Sequence, residues 1–489
     1  MSWNSKKYNR KDHEDSIRAI FNDLVKNRRS SDDSDLFVRV EQIISDSNSE
    51  DCQSEYIVEL SVLTPMIYEY DKETILHYKT EHSTESTRPT EKSESGEYKK
   101  DTNKKISIEN YRPFFVSVTV RISEADLDKF KIPENPWLKA EFHEEPINGY
   151  YPANLILVHS SFARPIIAKR NIRISNGSCI YNGKDINALT KEEYDINDFN
   201  KYIVAKNDVV TTELSNAWTN KGYKYIDIYN VGHGNADYIV CNDKKKILYD
   251  IGAPYRVYSL KSFPKAEQAF RQLKPNLVII SHWDADHYMG CGYASDDIFT
   301  VKWIAPQLIK GQDNSINLFR LVAYLTVNKK LMLIDRNSAG KLVALSGTNG
   351  NSIKLLMGSC TAPETTNITQ KNREGLYIEL GEKNDKISVL AGDVTYNSMD
   401  SSIFSNQLTF LHVPHHCSRM DTSELQNSVW GEEAVISTNH DASSGKPKVD
   451  KSHQQELISK FNNIHCTSEQ QGSLLSIRLH KSGLVEKLS

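Results

Sequence analysis

The second half of this chain is predicted to be a layered α/β domain, preceded by a β-rich region of α+β character. Three observations lead there. Beyond about residue 222, short apolar strand-like runs alternate with helical patterns, as in layered α/β packing. Upstream, apolar and polar residues alternate with period two over several stretches, as in half-buried strands. Between them in kind stands the run Ser281-His282-Trp283-Asp284-Ala285-Asp286-His287, which directly follows the apolar run Leu277-Val278-Ile279-Ile280. A strand that ends in such a loop can aim several metal-binding side chains at one point.

The elements follow in order. Ile17, Ile20, Phe21 and Leu24 recur at helical spacing, so the first 50 or so residues open with an amphipathic helix. Val58, Leu60 and Val62 alternate with Glu59 and Ser61, and Val116, Val118, Val120 and Ile122 alternate with Ser117, Thr119 and Arg121. Leu155-Ile156-Leu157-Val158 adds a further strand. The stretch 83–105 is Ser, Thr, Glu and Lys with almost nothing apolar, too polar to pack. A helix over 211–220 is expected to connect a first domain, 1–215, to a second, 222–489. Strands are then expected at 224–229, 237–241, 246–250 and 277–281, with a helix face of Ala266, Ala269, Phe270 and Leu273 stopped by Pro275. Later strands are expected at 376–380, 387–391, 408–413, 434–437 and 474–479, with a helix near 452–461.

Composition bounds the function. At 489 residues there is room for two or three domains, and the net charge of −4 provides no whole-protein basic field for nucleic acid. The basic residues Lys302, Lys310, Arg320, Lys371 and Arg373 form at most a thin local track. The N-terminus lacks the apolar core of a signal peptide, and no run approaches the ~20 apolar residues of a membrane span, so a cytoplasmic location without a membrane partner is expected. The seven cysteines are dispersed without a Cys-x-x-Cys pair, which fits reduced thiols.

The chemistry lies in the second half. His offers a neutral nitrogen and Asp an anionic oxygen, the donors that hydrolytic divalent metals take. His282, Asp284, Asp286 and His287 supply four such groups, and two metals are the natural reading. Asp250 ends a strand and should orient the metal loop from behind. Asp393 follows Gly392 at another strand end, and His415 and His416 stand together before Cys417. Trp283 is more readily a packing residue than a base-stacking platform.

The series Val231-Gly232-His233-Gly234-Asn235, Tyr249-Asp250-Ile251-Gly252, the His/Asp cluster, Ala391-Gly392-Asp393 and Val413-Pro414-His415-His416-Cys417-Ser418 resembles the metallo-β-lactamase superfamily. The branch it is most similar to is typified by the hydrolase domain of the DNA-uptake channel protein ComEC, which often carries Asp where Asp284 stands. The likeness spans residues 222–480, about half the chain. It implies a four-layer αββα sandwich with ligands on loops at one edge of two sheets. It further implies Asp393 as a bridging carboxylate between two divalent ions, zinc or manganese. One ion would take His282 and Asp284, the other Asp286, His287 and one of the late His pair. His416 is favoured as that ligand, with His415 an acid/base or phosphate contact. Asp284, Asp286 and His415 would then serve catalysis, and Arg373, Asn439 and His453 would surround a substrate phosphate. There are departures. Gly-His-Gly-Asn replaces the usual Gly-Gln-Gly-Asp, Cys417 replaces a Gly, Tyr288 and Met289 precede a single Gly290, and no His occurs between 288 and 392.

The expected activity is metal-dependent phosphodiester hydrolysis, foremost a nuclease on DNA or RNA. Hydrolysis of a small substrate (a cyclic nucleotide, a phosphocholine ester or a lactone) and a non-catalytic interaction module are the alternatives. The architecture also suits an effector of bacterial antiviral defence whose first domain senses a signal or holds a protein partner. Limited proteolysis of the whole chain should cut first within 83–105; a first cut elsewhere would show that this stretch is protected.

Overall fold

A computed structural model describes residues 10–25, 36–46, 55–72, 112–131, 136–159, 166–175, 179–181, 184–195, 199, 204–232, 234–253, 264–309, 315–338, 340–359, 369–382, 384, 386–405, 407–418, 425, 430–438, 449–467 and 476–488. The polar stretch 83–105, His233, Lys310 and Asn439 lie outside the described residues. The chain is mixed α/β and divides into two compact units. One comprises 1–43, 57–195 and 315–328; the other comprises 44–56, 196–314 and 329–489. No helix among the described residues is long and apolar enough to cross a membrane.

The first unit is built on a closed barrel of six strands. These are β1 (Leu36–Asp46), β2 (Glu55–Leu63), β3 (Phe114–Ser123), β4 (Leu138–His143), β5 (Tyr151–His159) and β6 (Ile166–Ser175), in the order β1-β2-β3-β5-β6-β4. The alternating valines of the sequence lie in β2 and β3. Closure comes from antiparallel pairing of β1 with β4, Leu36 opposite Ala140, which removes both free edges. The helix Arg10–Leu24 buries Ile17, Ile20, Phe21 and Leu24, the face its spacing marked out.

The same unit takes a helix from the second half of the sequence, Ile316–Val327. Polar side chains fix it to the barrel. The Asn317 amide donates to Val116 O (3.0 Å) and accepts from Val116 N (3.1 Å), a strand-like pairing made by a side chain. Arg320, 1% exposed, donates through Nε and Nη2 to the fully buried Asp71 at 2.9–3.1 Å. Its third arm reaches Asn317 Oδ1, and its guanidinium lies 4.3 Å from the centre of the Phe114 ring. Tyr194 donates to Asp71 from the other side at 3.0 Å. A buried pair is costly to assemble, but leaving one partner behind costs more.

The second unit stacks two mixed sheets. After the two-stranded ribbon of β7 (Ile180–Tyr181) and β8 (Lys184–Asp185) in the chain, the first sheet contains β9 (Tyr223–Ile228), β10 (Asp237–Cys241), β11 (Lys246–Tyr249), β12 (Leu277–Ile279), β13 (Lys302–Pro306) and β14 (Leu331–Ile334). The second runs from β15 (Gly340–Ser346) through β16 (Ser352–Met357), β17 (Leu376–Gly381), β18 (Lys386–Leu390), β19 (Gln407–His412) and β20 (Gly431–Ile436) to β21 (Phe461–Cys466). Two late strands, β22 (Ser476–His480) and β23 (Val485–Leu488), return to the first sheet beside β9. Strands β11 to β14 run parallel to one another, as do β18 to β21. Their continuous apolar runs are the mark of strands covered on both faces.

Between the sheets lies one apolar layer that includes Ile239, Ile247, Ile279, Leu355, Ile378, Leu390 and Phe410. The connector helix Asn207–Ala217 adds Val210, Leu214 and Ala217 to it. Beyond the second sheet, Tyr377, Val389, Leu411 and Ala434 pack with Leu457 of the helix Lys451–Lys460. The sequence left 302–370 without a strand; β13 to β16 fill that interval. Asp71→Ala should destabilise the first unit by about 3–5 kcal/mol, and adding Arg320→Met should restore much of the loss. An unchanged urea midpoint for Asp71→Ala would show that the pair does not secure the helix.

Candidate metal centre

Five parallel strands end at one edge of the sandwich, and the sequence motifs stand at those ends. Asp250 follows β11, Ser281 and His282 follow β12, Asp393 follows β18, the His pair follows β19 and Ser437 follows β20. Ligands of open α/β sheets sit outside the carboxyl ends of strands in just this way.

Close backbone packing sets the loops. A Cβ on Gly252 would come within 1.9 Å of Asp286 O, so only glycine lets the loop after β11 meet the metal loop. Gly392 has φ +56, and a Cβ there would lie 2.6 Å from that of Ser281. His415, His416 and Cys417 take φ of 51, 53 and 60 in succession. Left-handed backbone is costly for residues with a Cβ and concentrates at functional sites. Cys417 is fully buried, and burial pushes its thiol up.

Asp250 organises the rest from behind. Fully buried, it accepts from Ser281 N (2.7 Å), Ser281 Oγ (2.8 Å) and His287 Nδ1 (2.8 Å). Ser281 Oγ also lies 3.1 Å from His282 Nδ1. His416 is anchored likewise, through Nδ1 to Ser437 O at 2.9 Å. All three imidazoles are therefore held by Nδ1 and present Nε2, the arrangement by which outer partners orient metal-binding histidines.

The Nε2 atoms face the carboxylates. His287 Nε2 lies 3.3 Å from Asp393 Oδ1, and His416 Nε2 lies 3.3 Å from Asp286 Oδ2 and 3.6 Å from Asp393 Oδ1. His282 Nε2 lies 3.2 Å from Asp284 Oδ2 and 3.7 Å from Asp393 Oδ2. Donors bound tetrahedrally at 2.0–2.1 Å stand about 3.4 Å apart, so these spacings fit a metal centre. Two overlapping groups could hold ions: His282, His287 and Asp393, and Asp286, His287 and His416. An imidazole nitrogen has one lone pair, so His287 can serve only one ion, while the two oxygens of Asp393 face opposite ways. Among the described residues, His282 Nε2, His287 Nε2 and Asp393 Oδ1 are buried without a hydrogen-bond partner, which a cation would remedy.

Electrostatics agree. Burial alone would raise the Asp393 carboxyl, but His287, His416 and His415 hold it well below the ordinary range. Burial opposes the charge on His287, yet Asp393, Asp250 and Asp286 raise it well above its usual value. Asp286 is lowered by His287 and His416 against its burial. A spot that attracts this much positive charge suits divalent ions.

The other expected residues fall as follows. His415, on the more open side and 20% exposed, has Nε2 3.8 Å from Asp393 Oδ2, and burial lowers its pKa. Arg373 is 2% exposed. His453 is buried with both ring nitrogens in use, Nε2 with Tyr396 Oη at 3.0 Å and Nδ1 with Ser418 O at 3.3 Å. Trp283 is core, its indole donating to Pro306 O.

Three features escaped the sequence reading. Lys371 donates to Asp284 Oδ1, so an ammonium shares the most exposed carboxylate of the centre. Asn372 caps its short helix with Thr369 and donates to Asp393 Oδ2 at 3.2 Å. Behind His416, His412 is buried against Asp237. Lys371 had been noted only as one basic residue among several, and nothing local marks its partner.

No family model matches the sequence, and no curated protein sequence matches it significantly. Distant structural similarity links it to a CmlA β-hydroxylase variant at 10% identity, covering 54% of each chain with a TM-score of 0.30. It is also similar to a long-form RNase Z from yeast at 10% identity, covering 64% of this chain and 49% of that one, with a TM-score of 0.26. The chain thus spans about half the length of either. Likeness at these scores decides nothing about chemistry, which rests on the side chains. Asp250→Ala should weaken divalent-ion binding about 10–100-fold in chelator competition; wild-type affinity would show that Asp250 orients nothing.

Proposed function

We propose that the protein is a metal-dependent hydrolase of phosphodiesters, with DNA or RNA as the first substrate to test. The observation that carries this is a pair of overlapping His/carboxylate groups, His282, His287 and Asp393, and Asp286, His287 and His416, with Asp393 also 3.6 Å from His416 Nε2, at donor spacings that fit two ions. His282, Asp284 and Asp393 would hold one ion, and Asp286, His287, His416 and Asp393 the other. Ions so held supply Lewis acidity and bring a water molecule's pKa towards neutral; carboxylate-rich donor sets admit manganese as well as zinc.

The chain's own groups do the remainder. Lys371 Nζ, already at the centre, can pair with an anionic substrate oxygen. His415, whose pKa is lowered by burial, can take or return a proton at Nε2. Asn372 holds Asp393 in register for both neighbours.

A second reading, a small anionic substrate, draws on a specific observation. Of the basic residues noted for a nucleic-acid track, Arg320 belongs to the first unit and is buried, and Arg373 is buried as well. Purified protein should contain close to two divalent ions per chain and lose hydrolysis with chelator. Asp393→Ala should slow turnover at least ~10²-fold, the scale of several kcal/mol of transition-state stabilisation. Near-normal turnover in Asp393→Ala would remove it from the centre. Binding that weakens steeply with salt marks nucleic acid, and binding nearly indifferent to salt marks a small substrate.

A further inference from the structure

Behind the metal centre lies a second constellation that uses none of the expected ligands. His412, the last residue of β19, places Nδ1 2.7 Å from Asp237 Oδ2 at the start of β10, and Nε2 2.9 Å from Ser437 Oγ just past β20. Asp237 is fully buried, and His412 and Ser437 are each 1% exposed. Asp, His and Ser stand in the order of a hydrolytic triad. No substrate can reach a serine so deeply buried, so nucleophilic attack by Ser437 is excluded on access alone. The line does have one outlet: the Ser437 carbonyl accepts from His416 Nδ1 at 2.9 Å.

We propose that Asp237, His412 and Ser437 form a positioning relay that fixes the tautomer and direction of His416. The proposal rests on His416 being a metal ligand. The hydrogens balance along the line. His412 donates Nδ1–H to Asp237 and accepts the Ser437 hydroxyl proton at Nε2. With its hydroxyl tied down, Ser437 holds its carbonyl towards His416. His416 then carries its proton on Nδ1, which leaves the Nε2 lone pair facing Asp286 and Asp393. The relay also joins the two sheets, since Asp237 belongs to the first and His412 to the second. It thereby ties the loop bearing His416 to the sheet that delivers His282 and His287. His416 needs such support because it sits in a single short turn, Pro414–Cys417, in which three consecutive residues are left-handed.

Four proteins test the relay: wild type, Ser437→Ala, His412→Leu and His412→Gln. A glutamine amide can donate to Asp237 and accept from Ser437, so it should act as the conservative replacement. Zinc and manganese affinities are measured by chelator competition. The tautomer of His416 is read in the metal-free protein from side-chain ¹⁵N shifts of histidine-labelled samples. Wild type should show His416 with a proton fixed on Nδ1. Ser437→Ala and His412→Leu should show averaged tautomers and lose about 10–100-fold in affinity for one ion, while His412→Gln stays within about threefold of wild type. Wild-type affinity and tautomer in Ser437→Ala and His412→Leu would overturn the relay, as would an equal loss in His412→Gln and His412→Leu. Should His412→Leu fail to fold, Ser437→Ala decides. If the wild type binds no metal, the metal-centre reading fails, and the tautomers of the metal-free proteins alone judge the relay.

Discussion

Packing the carboxylates of Asp284, Asp286 and Asp393 beside that of Asp250, within reach of four imidazoles, is the constraint to which the second unit answers. Buried anions in such proximity repel, and each has given up hydration. Their company is the His287 ring, which these carboxylates hold well above its usual pKa, and one ammonium, Lys371, which meets only Asp284. Divalent cations would resolve the conflict directly. The protein ties the Nδ1 atoms of His282, His287 and His416 to a hydroxyl, a carboxylate and a carbonyl, so that their Nε2 atoms converge on Asp393. Asp250 contributes most to that preparation, because one carboxylate fixes Ser281 by main chain and side chain and His287 by its ring.

The fold makes such convergence inexpensive. Strands β11, β12, β18, β19 and β20 are held by ladder hydrogen bonds on both sides and covered on both faces, so their ends are rigid. Loops leaving these ends need few residues to bring ligands together. What the loops cannot absorb appears as strain, in the positive φ of Asp250, His415, His416 and Cys417. The interlocked sheets oppose that strain, as expected where geometry matters more than local comfort.

Much of this was legible in the sequence, for identifiable reasons. His282, Asp284, Asp286 and His287 crowd six positions directly after an apolar run, so their convergence is nearly guaranteed by chain geometry. Asp250 and Asp393 were legible because each closes an apolar run with a glycine within two residues of it. The strands before and after them were recognised by the same contrast. Strands β13 to β16 were not: apolar runs such as Trp303-Ile304-Ala305 and Leu331-Met332-Leu333-Ile334 stand without a motif beside them and can belong to helix or strand. The closed barrel was missed because β1–β4 pairing depends on strands separated by the whole polar stretch. Long-range pairs were invisible for the same reason, with Lys371 and Asp284 87 positions apart and His412 and Asp237 175 apart. The burial of His453 and Arg373 was not legible, because polarity in a sequence does not reveal burial.

The central claim is that these side chains hold metal ions at the edge of the sandwich, two of them, sharing Asp393. Anomalous diffraction from crystals grown with manganese or zinc, collected on both sides of the metal edge, tests it most directly. The account predicts two anomalous peaks flanking Asp393, one against His282 and Asp284, the other against Asp286, His287 and His416. A map with no peak there, while ions bind elsewhere on the protein, would contradict it.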